Sequence, residues 1–199
     1  MKSSILRRYG LWGTVVMFFN LIRTKLLFPK ARLIRFPIDV RGIRFIHVSE
    51  GFTTGSGCRI EAYPNRDEKV LYFGRNFQMN DYVHITATES VRIGDNVLLA
   101  SKIYISDCAH GSYGGNQHDS HPASVPSQRH LFSKPVVIED NVWIGEMVSV
   151  LPGVTIGTGS IIGANSVVSK SIPPNVIAVG SPAKPIKKFN FVTKIWEKI

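Results

Sequence analysis

The segment ISDCAHG, Ile105 to Gly111, holds a carboxylate, a thiol and an imidazole within four residues. His110 closes a short apolar stretch just before a long loop, GSYGGNQHDSHPASVPSQRHLFSKP, Gly111 to Pro135. An imidazole at the end of a held strand and beside a protruding loop suits a general base acting on a hydroxyl. Of the six histidines, only His110 has that position. Asp107 either orients the imidazole or serves as a turn residue at a corner. Cys108 shares a face with His110 if the segment is extended, and reads as a thiol nucleophile or as a small packed residue. The loop adds His118, His121 and His130. Zinc needs several imidazoles converging from fixed elements, whereas His118 and His121 sit among Gly, Ser, Asp and Pro. No metal is expected.

What positions these groups is a six-residue repeat. From Ile138 the chain reads IEDNVW, IGEMVS, VLPGVT, IGTGSI, IGANSV, VSKSIP, with Ile or Val at every first position. The fifth positions are Val142, Val148, Val154, Ser160, Ser166 and Ile172. Position five lies two residues before the next position one, so both point to one side of a short strand. Such a period predicts a parallel β-helix whose repeats bury a continuous core only when stacked. Repeats begin upstream at Phe73, Met79 and Ile85, then after a two-residue insertion at Ile93, Leu99 and Ile105. Weaker coils are expected from Val48 to Asn65. The register between Ile105 and Ile138 is broken, so residues 111–135 form a loop inserted into a coil, and such long loops are functional or disordered.

The chain of 199 residues carries a formal charge of +10, much of it near the N-terminus. Lys2, Arg7, Arg8, Arg23, Lys25, Lys30, Arg32, Arg35, Arg41 and Arg44 precede the first clear coil. Interleaved with them is LWGTVVMFFNLI, Leu11 to Ile22, which is too short for the roughly 20 residues that span a bilayer. No small-x-small cleavage site follows. The pattern predicts a basic, apolar helix lying on an anionic cytoplasmic leaflet, or else capping the β-helix, and not a nucleic-acid surface. Two cysteines, Cys58 and Cys108, make no disulfide framework. The expected division is an arm over 1–35, a β-helix over 36–188 and a short C-terminal tail or helix over 189–199.

The run VRIGDNVLLASKIYISDCAHG, followed by PVVIEDNVWIGEMVSVLPGVTIGTGSIIGANSVVSKSIPPNVIAVGSPAKPIKK, resembles the hexapeptide-repeat O-acetyltransferases, nearest to those of lipopolysaccharide, O-antigen and capsule. The resemblance covers about residues 73–188 and is most specific at IPPNVIAVGSPAK. It implies an all-β, left-handed parallel β-helix that forms homotrimers, with acetyl-CoA as co-substrate. His110 matches the catalytic histidine of a direct transfer to a sugar hydroxyl, with no acyl-enzyme and no role for a cysteine. By the same resemblance, Asn80 contacts the acceptor; His84, in Tyr82-Val-His-Ile, reads either as a second polar group there or as part of an ordinary strand. Ala164 meets the pantetheine arm, Ser169 and Lys170 lie near the phosphates or adenine, and Lys184 and Lys187 neutralise phosphate. Trp143 is placed to flank the substrate groove, and Arg129 to meet a phosphate or acidic sugar. Glu146 replaces a small residue common in relatives, and Thr88 stands where some carry an acid, with Glu89 beside it.

The implied function is O-acetylation of a cell-surface polysaccharide precursor, with a sugar or lipid-linked glycan as acceptor. The implied place is the cytoplasm, peripheral to the inner face of the plasma membrane. The alternatives are a metalloenzyme similar to the γ-carbonic anhydrases, a small-sugar or antibiotic acetyltransferase, and a non-catalytic scaffold.

Overall fold

The computed structural model describes residues 5–199, so Lys2 of the basic arm lies outside the described residues. The body is a three-sided parallel β-helix whose faces are sheets of six, five and eight strands. One coil passes from Val136–Ile138 on the five-stranded face to Trp143–Ile144 on the eight-stranded face, then to Ser149–Val150 on the six-stranded face. Ile138 pairs in register with Ile156, eighteen residues on, so three hexapeptides make one turn. Phe73 pairs with Ile93 at a spacing of twenty, which places the two-residue insertion inside that turn.

The repeat writes the core directly. Ile138, Ile144, Val150, Ile156, Ile162 and Val168 are buried, as are Met79, Ile85, Ile93, Leu99 and Ile105 upstream. Burying such a side chain stabilises by about 1.5–3 kcal/mol, and here each sits on the one below. The serines at fifth positions are also buried. Ser160 Oγ donates to Pro173 O at 2.8 Å and accepts from Val176 N at 3.2 Å, while Ser166 Oγ accepts from Gly180 N at 3.0 Å. They bind the backbone where the last coil stops following the repeat. At the other end Phe52, Phe73 and Phe77 stack with centroids 5.0–5.5 Å apart and fill the wider N-terminal coils.

Helix α1, Ile5–Leu27, precedes the coils and is broken at Gly10. Its C-terminal end is tied down by Thr24, whose Oγ1 accepts from Ile34 N at 2.8 Å, and by Lys25 Nζ, which donates to Ala31 O at 2.7 Å. Ala31 and Ile34 are fully buried and Phe28 packs on the core. The cap is therefore the segment after the helix, while α1 itself leaves most apolar side chains exposed. No described helix is long and apolar enough to cross a membrane.

The C-terminus departs from the expected tail or helix. Lys184–Asn190 folds back antiparallel on Val176–Val179, and Ile195–Lys198 pairs antiparallel with it. An unpaired edge beside Val176–Val179 is thereby covered, and edge-to-face contacts of Phe189 with Phe191 and Trp196 hold the hairpin.

Candidate active site

The inserted loop leaves the body through a two-stranded stem in which Cys108–His110 runs antiparallel to Leu131–Ser133. Asp107 sets its base. The carboxylate is fully buried and accepts the backbone N–H groups of Thr88 (2.9 Å), Glu89 (2.8 Å) and Ser90 (2.7 Å). Thr88 Oγ1 also lies 3.2 Å from it and 2.6 Å from Ser133 Oγ, tying the turn below to the returning strand. Of the two roles open to Asp107 in the sequence, this geometry is that of the turn residue. Its hydrogen bonds go to the 88–90 turn, and none to His110 is present.

His110 ends the outgoing strand and is exposed. Its carbonyl accepts the Tyr113 hydroxyl at 2.6 Å, which fixes the backbone and leaves the imidazole without a hydrogen bond among the described residues. Cys108 is half-buried with its Sγ 3.5 Å from Ser106 Oγ, the surroundings of a packed thiol. Arg129 is engaged within the loop. It donates to Tyr113 Oη at 2.7 Å, Ser124 Oγ at 2.9 Å and Ser124 O at 2.8 Å. The acidic-ligand role read for it in the sequence meets a guanidinium already bonded to its own loop. His121 Nδ1 accepts from Ala123 N, and among the described residues no three His, Cys, Asp or Glu gather as a metal would require.

Beside the stem a cleft of about 540 Å³ opens between the 64–70 segment and strand Leu131–Ser133. Arg66, Glu68, Thr88, Glu89, His130 and Phe132 line it. Leu131, also in its wall, is the strand partner of His110. The 64–70 segment carries no aliphatic period, so nothing in its spacing marks it as a wall of a cleft beside the stem.

His84 lies on the six-stranded face in a network centred on Glu61. This buried carboxylate meets His84 Nε2 at 2.8 Å, Arg59 at 2.6 Å, Tyr63 Oη at 3.0 Å and Arg41 at 3.2 Å. Burial alone pushes the Glu61 carboxyl up. The hydrogen bonds from His84, Arg59 and Tyr63, with the charge of Arg59, outweigh it and hold the pKa at about 2. His84 is thus half-buried and bonded to its own chain. Glu61 was missed in the sequence because it occupies an outward position that the repeat does not constrain.

The remaining candidates distribute over the edges of the prism. His110, Ser169 and Lys170 follow strands of the six-stranded face and lie on the edge leading to the five-stranded one. Asn80 and Ala164 lie on the edge between the eight- and six-stranded faces, with Glu146 between them along the stack. That edge is built of close contacts. A Cβ on Gly145 would stand 2.6 Å from Ala164 N. Trp143 is exposed on the eight-stranded face, in a register row that continues through Ile161 and Ile177 to Lys187. Lys184 begins the same terminal strand. One chain therefore does not gather His110, Asn80 and Ala164 at one edge.

The Asn80 edge has a further property. Its left-handed corner positions hold Tyr82, Lys102 and Met147, each at φ 58, between Gly57 at φ 69 and Asn165 at φ 59, where the corresponding coils at the edge between the five- and eight-stranded faces have Asn76, Asn96 and Asn141. Bulky residues avoid that region. Tyr82 is 64% exposed, with its ring over Gly57.

Comparison with known proteins bears on both fold and chemistry. The bacterial transferase hexapeptide (six repeats) family matches residues 135–170. A chain of Escherichia coli (strain K12), whose assigned but unproven role is lipopolysaccharide biosynthesis O-acetyl transfer, is 45% identical over 198 residues, covering 100% of both chains. The galactoside O-acetyltransferase of the same organism is 41% identical over 120 residues, 60% of this chain and 55% of its own length. A galactoside acetyltransferase solved with coenzyme A superposes at a TM-score of 0.58 and 28% identity, covering 100% of this chain and 91% of its own. An N-acyltransferase of Bacillus cereus, solved with dTDP-4-amino-4,6-dideoxyglucose and coenzyme A, reaches a TM-score of 0.66 over 82% of this chain and 85% of its own. At 19% identity it speaks to the fold alone. The parallel sheets and these neighbours fit a left-handed β-helix.

Proposed function

The chain belongs to the bacterial hexapeptide-repeat transferases and is an acyltransferase with acetyl-CoA as co-substrate, and from that premise we propose that it O-acetylates a sugar of a cell-surface polysaccharide precursor. The observation that carries the reading is His110, presented to solvent at the end of a strand whose base Asp107 clamps. In this reading the imidazole takes the proton of the acceptor hydroxyl as that oxygen bonds to the acetyl carbonyl carbon. The carbon–sulfur bond breaks, and the same proton passes from the imidazolium to the CoA thiolate. An acetyl ester and free CoA leave, and no acyl-enzyme forms.

The small corner at half-buried Gly163 and exposed Ala164 fits a narrow pantetheine arm, and exposed Lys170 and Lys184 fit its phosphates. Because Ala164 and His110 lie on different edges, the site is completed by a neighbouring copy in a homotrimer. The protein works in the cytoplasm on a sugar or lipid-linked glycan.

The test is calorimetric binding of acetyl-CoA followed by thiol release with candidate sugars. Acceptor-dependent release should fall by about 10²–10⁴ in His110→Ala. CoA binding should persist, because the exposed imidazole makes no hydrogen bond among the described residues. Near-parental turnover in that variant would remove the mechanism, and a folded protein that binds no CoA would remove the function.

A further inference from the structure

α1 reverses the order of a surface helix. Such a helix buries an apolar stripe and shows polar residues to water. Here the buried residues are Asn20 and Thr24, while Leu11, Trp12, Phe18, Phe19, Leu26 and Leu27 are 59–79% exposed. The helix is not a loose arm. Thr24 Oγ1 donates to Asn20 O at 2.6 Å and accepts from Ile34 N, which fastens the helix's C-terminal end to the first coil, and Arg35 reaches Tyr9 Oη at 3.3 Å just before the break at Gly10. Its exposed apolar face is thus held in a fixed direction. Leu11, Phe18 and Leu26 recur at helical spacing on one side of it.

Charge identifies what covers that face. No acidic residue occurs before Asp39, while Arg7 and Arg8 precede the apolar block and Arg23, Lys25, Lys30 and Arg32 follow it. A second copy of this helix would set the same flanking cations against these, with no acidic residue before Asp39 to offset them, so helix-on-helix packing is opposed by repulsion. An anionic bilayer answers both features, because its head groups attract the flanking cations and its acyl boundary takes the apolar side chains. The block Leu11–Ile22 extends about 18 Å at 1.5 Å per residue, short of the roughly 30 Å hydrocarbon core, so the helix lies along the surface.

We propose that α1 docks the protein on an anionic lipid surface with Leu11, Phe18 and Leu26 inserted at the head-group boundary. A glycan carried on a membrane lipid is then presented in the plane where the enzyme sits. That consequence rests on the acetyl-transfer reading. The docking itself does not, since it is measured without turnover.

The experiment is co-sedimentation of the full-length protein with vesicles of phosphatidylethanolamine and phosphatidylglycerol, against vesicles of phosphatidylcholine, with oligomeric state followed by sedimentation velocity. The anionic vesicles should retain the protein, the neutral ones should not, and salt should release it. Phe18→Glu should weaken retention at least about tenfold with the oligomer unchanged, and Leu11→Glu serves as an independent variant should Phe18→Glu misfold. Arg8→Gln and Lys30→Gln should each weaken it roughly fivefold. Equal retention on both vesicle types, or none on either, overturns the proposal. So does a Phe18→Glu protein that binds vesicles normally and loses its oligomeric state, which would assign the face to a second copy.

Discussion

Asp107 and Thr88 are joined across two successive coils, the Asp107 carboxylate accepting the Thr88 backbone N–H at 2.9 Å directly beneath the strand that ends in His110. A group that clamps the turn and one that orients the imidazole predict different variants. Asp107→Ala leaves the buried N–H of Thr88 and the part-buried N–H groups of Glu89 and Ser90 without their acceptor and should cost on the order of 3 kcal/mol of stability. Asp107→Asn keeps the shape but turns a donor toward those N–H groups, and should destabilise nearly as much. Because the carboxylate makes no bond to His110, the pH dependence of kcat/KM should keep its parental midpoint in whatever Asp107→Asn protein folds. A shifted midpoint would return Asp107 to the orienting role.

Glu61 gives the six-stranded face an acid limit. Its folded pKa of about 2 lies below the ordinary 4.5, so the folded state favours the carboxylate. The stabilisation is fully present above about 4.5 and is lost as pH falls from there through about 2. Acid unfolding should therefore steepen in that window, and Glu61→Gln should flatten it while lowering stability by about 1–3 kcal/mol at neutral pH. Thermal melts of both proteins from neutral pH into acid would check this. An unchanged acid limb in Glu61→Gln would mean that other carboxylates set it.

The separation of His110 from Ala164 by one face of the prism predicts complementation. His110→Ala loses the base and Ala164→Trp blocks the other edge with a side chain at an exposed corner. Each alone should be inactive while folding normally. Mixed oligomers of the two should recover activity if the site joins edges of neighbouring copies, since some sites then receive both intact edges. Failure of mixed oligomers to recover, with exchange confirmed, would place each site within one chain.

How far the sequence reached follows from what its period records. Inward positions repeat because each must fill the same narrow core, so the coils, the two-residue insertion after residue 85 and the interrupted register before Ile138 were all legible in it. His110 was legible too, because it sits where the period stops. Outward positions are not periodic. Nothing in the spacing shows that Glu61 meets His84, that Arg129 turns into its own loop, or that residues 64–70 wall a cleft beside the stem. The C-terminal hairpin escaped for a related reason. Lys184–Asn190 pairs antiparallel at an edge, where exposed lysines and a proline hide the alternation that marks a strand.

Tyr82 is the residue in which structure and function are most directly opposed. It holds φ 58 with a bulky side chain, next to Asn80 on the edge proposed to face the neighbouring copy, and its ring is 64% exposed. The left-handed conformation costs roughly 1–2 kcal/mol relative to a residue that visits it freely, and such strain gathers where the side chain has work to do. Tyr82→Asn should therefore stabilise the protein by about 1 kcal/mol and raise Tm by roughly 2–4 °C. If the ring is a platform for the acceptor sugar, the same change should raise the acceptor KM several-fold and leave the KM for acetyl-CoA where it was. Measuring Tm and both KM values on one preparation separates the outcomes. A higher Tm with both KM values unchanged would make Tyr82 a strained corner and nothing more, and a lower Tm would show that its packing over Gly57 outweighs the strain.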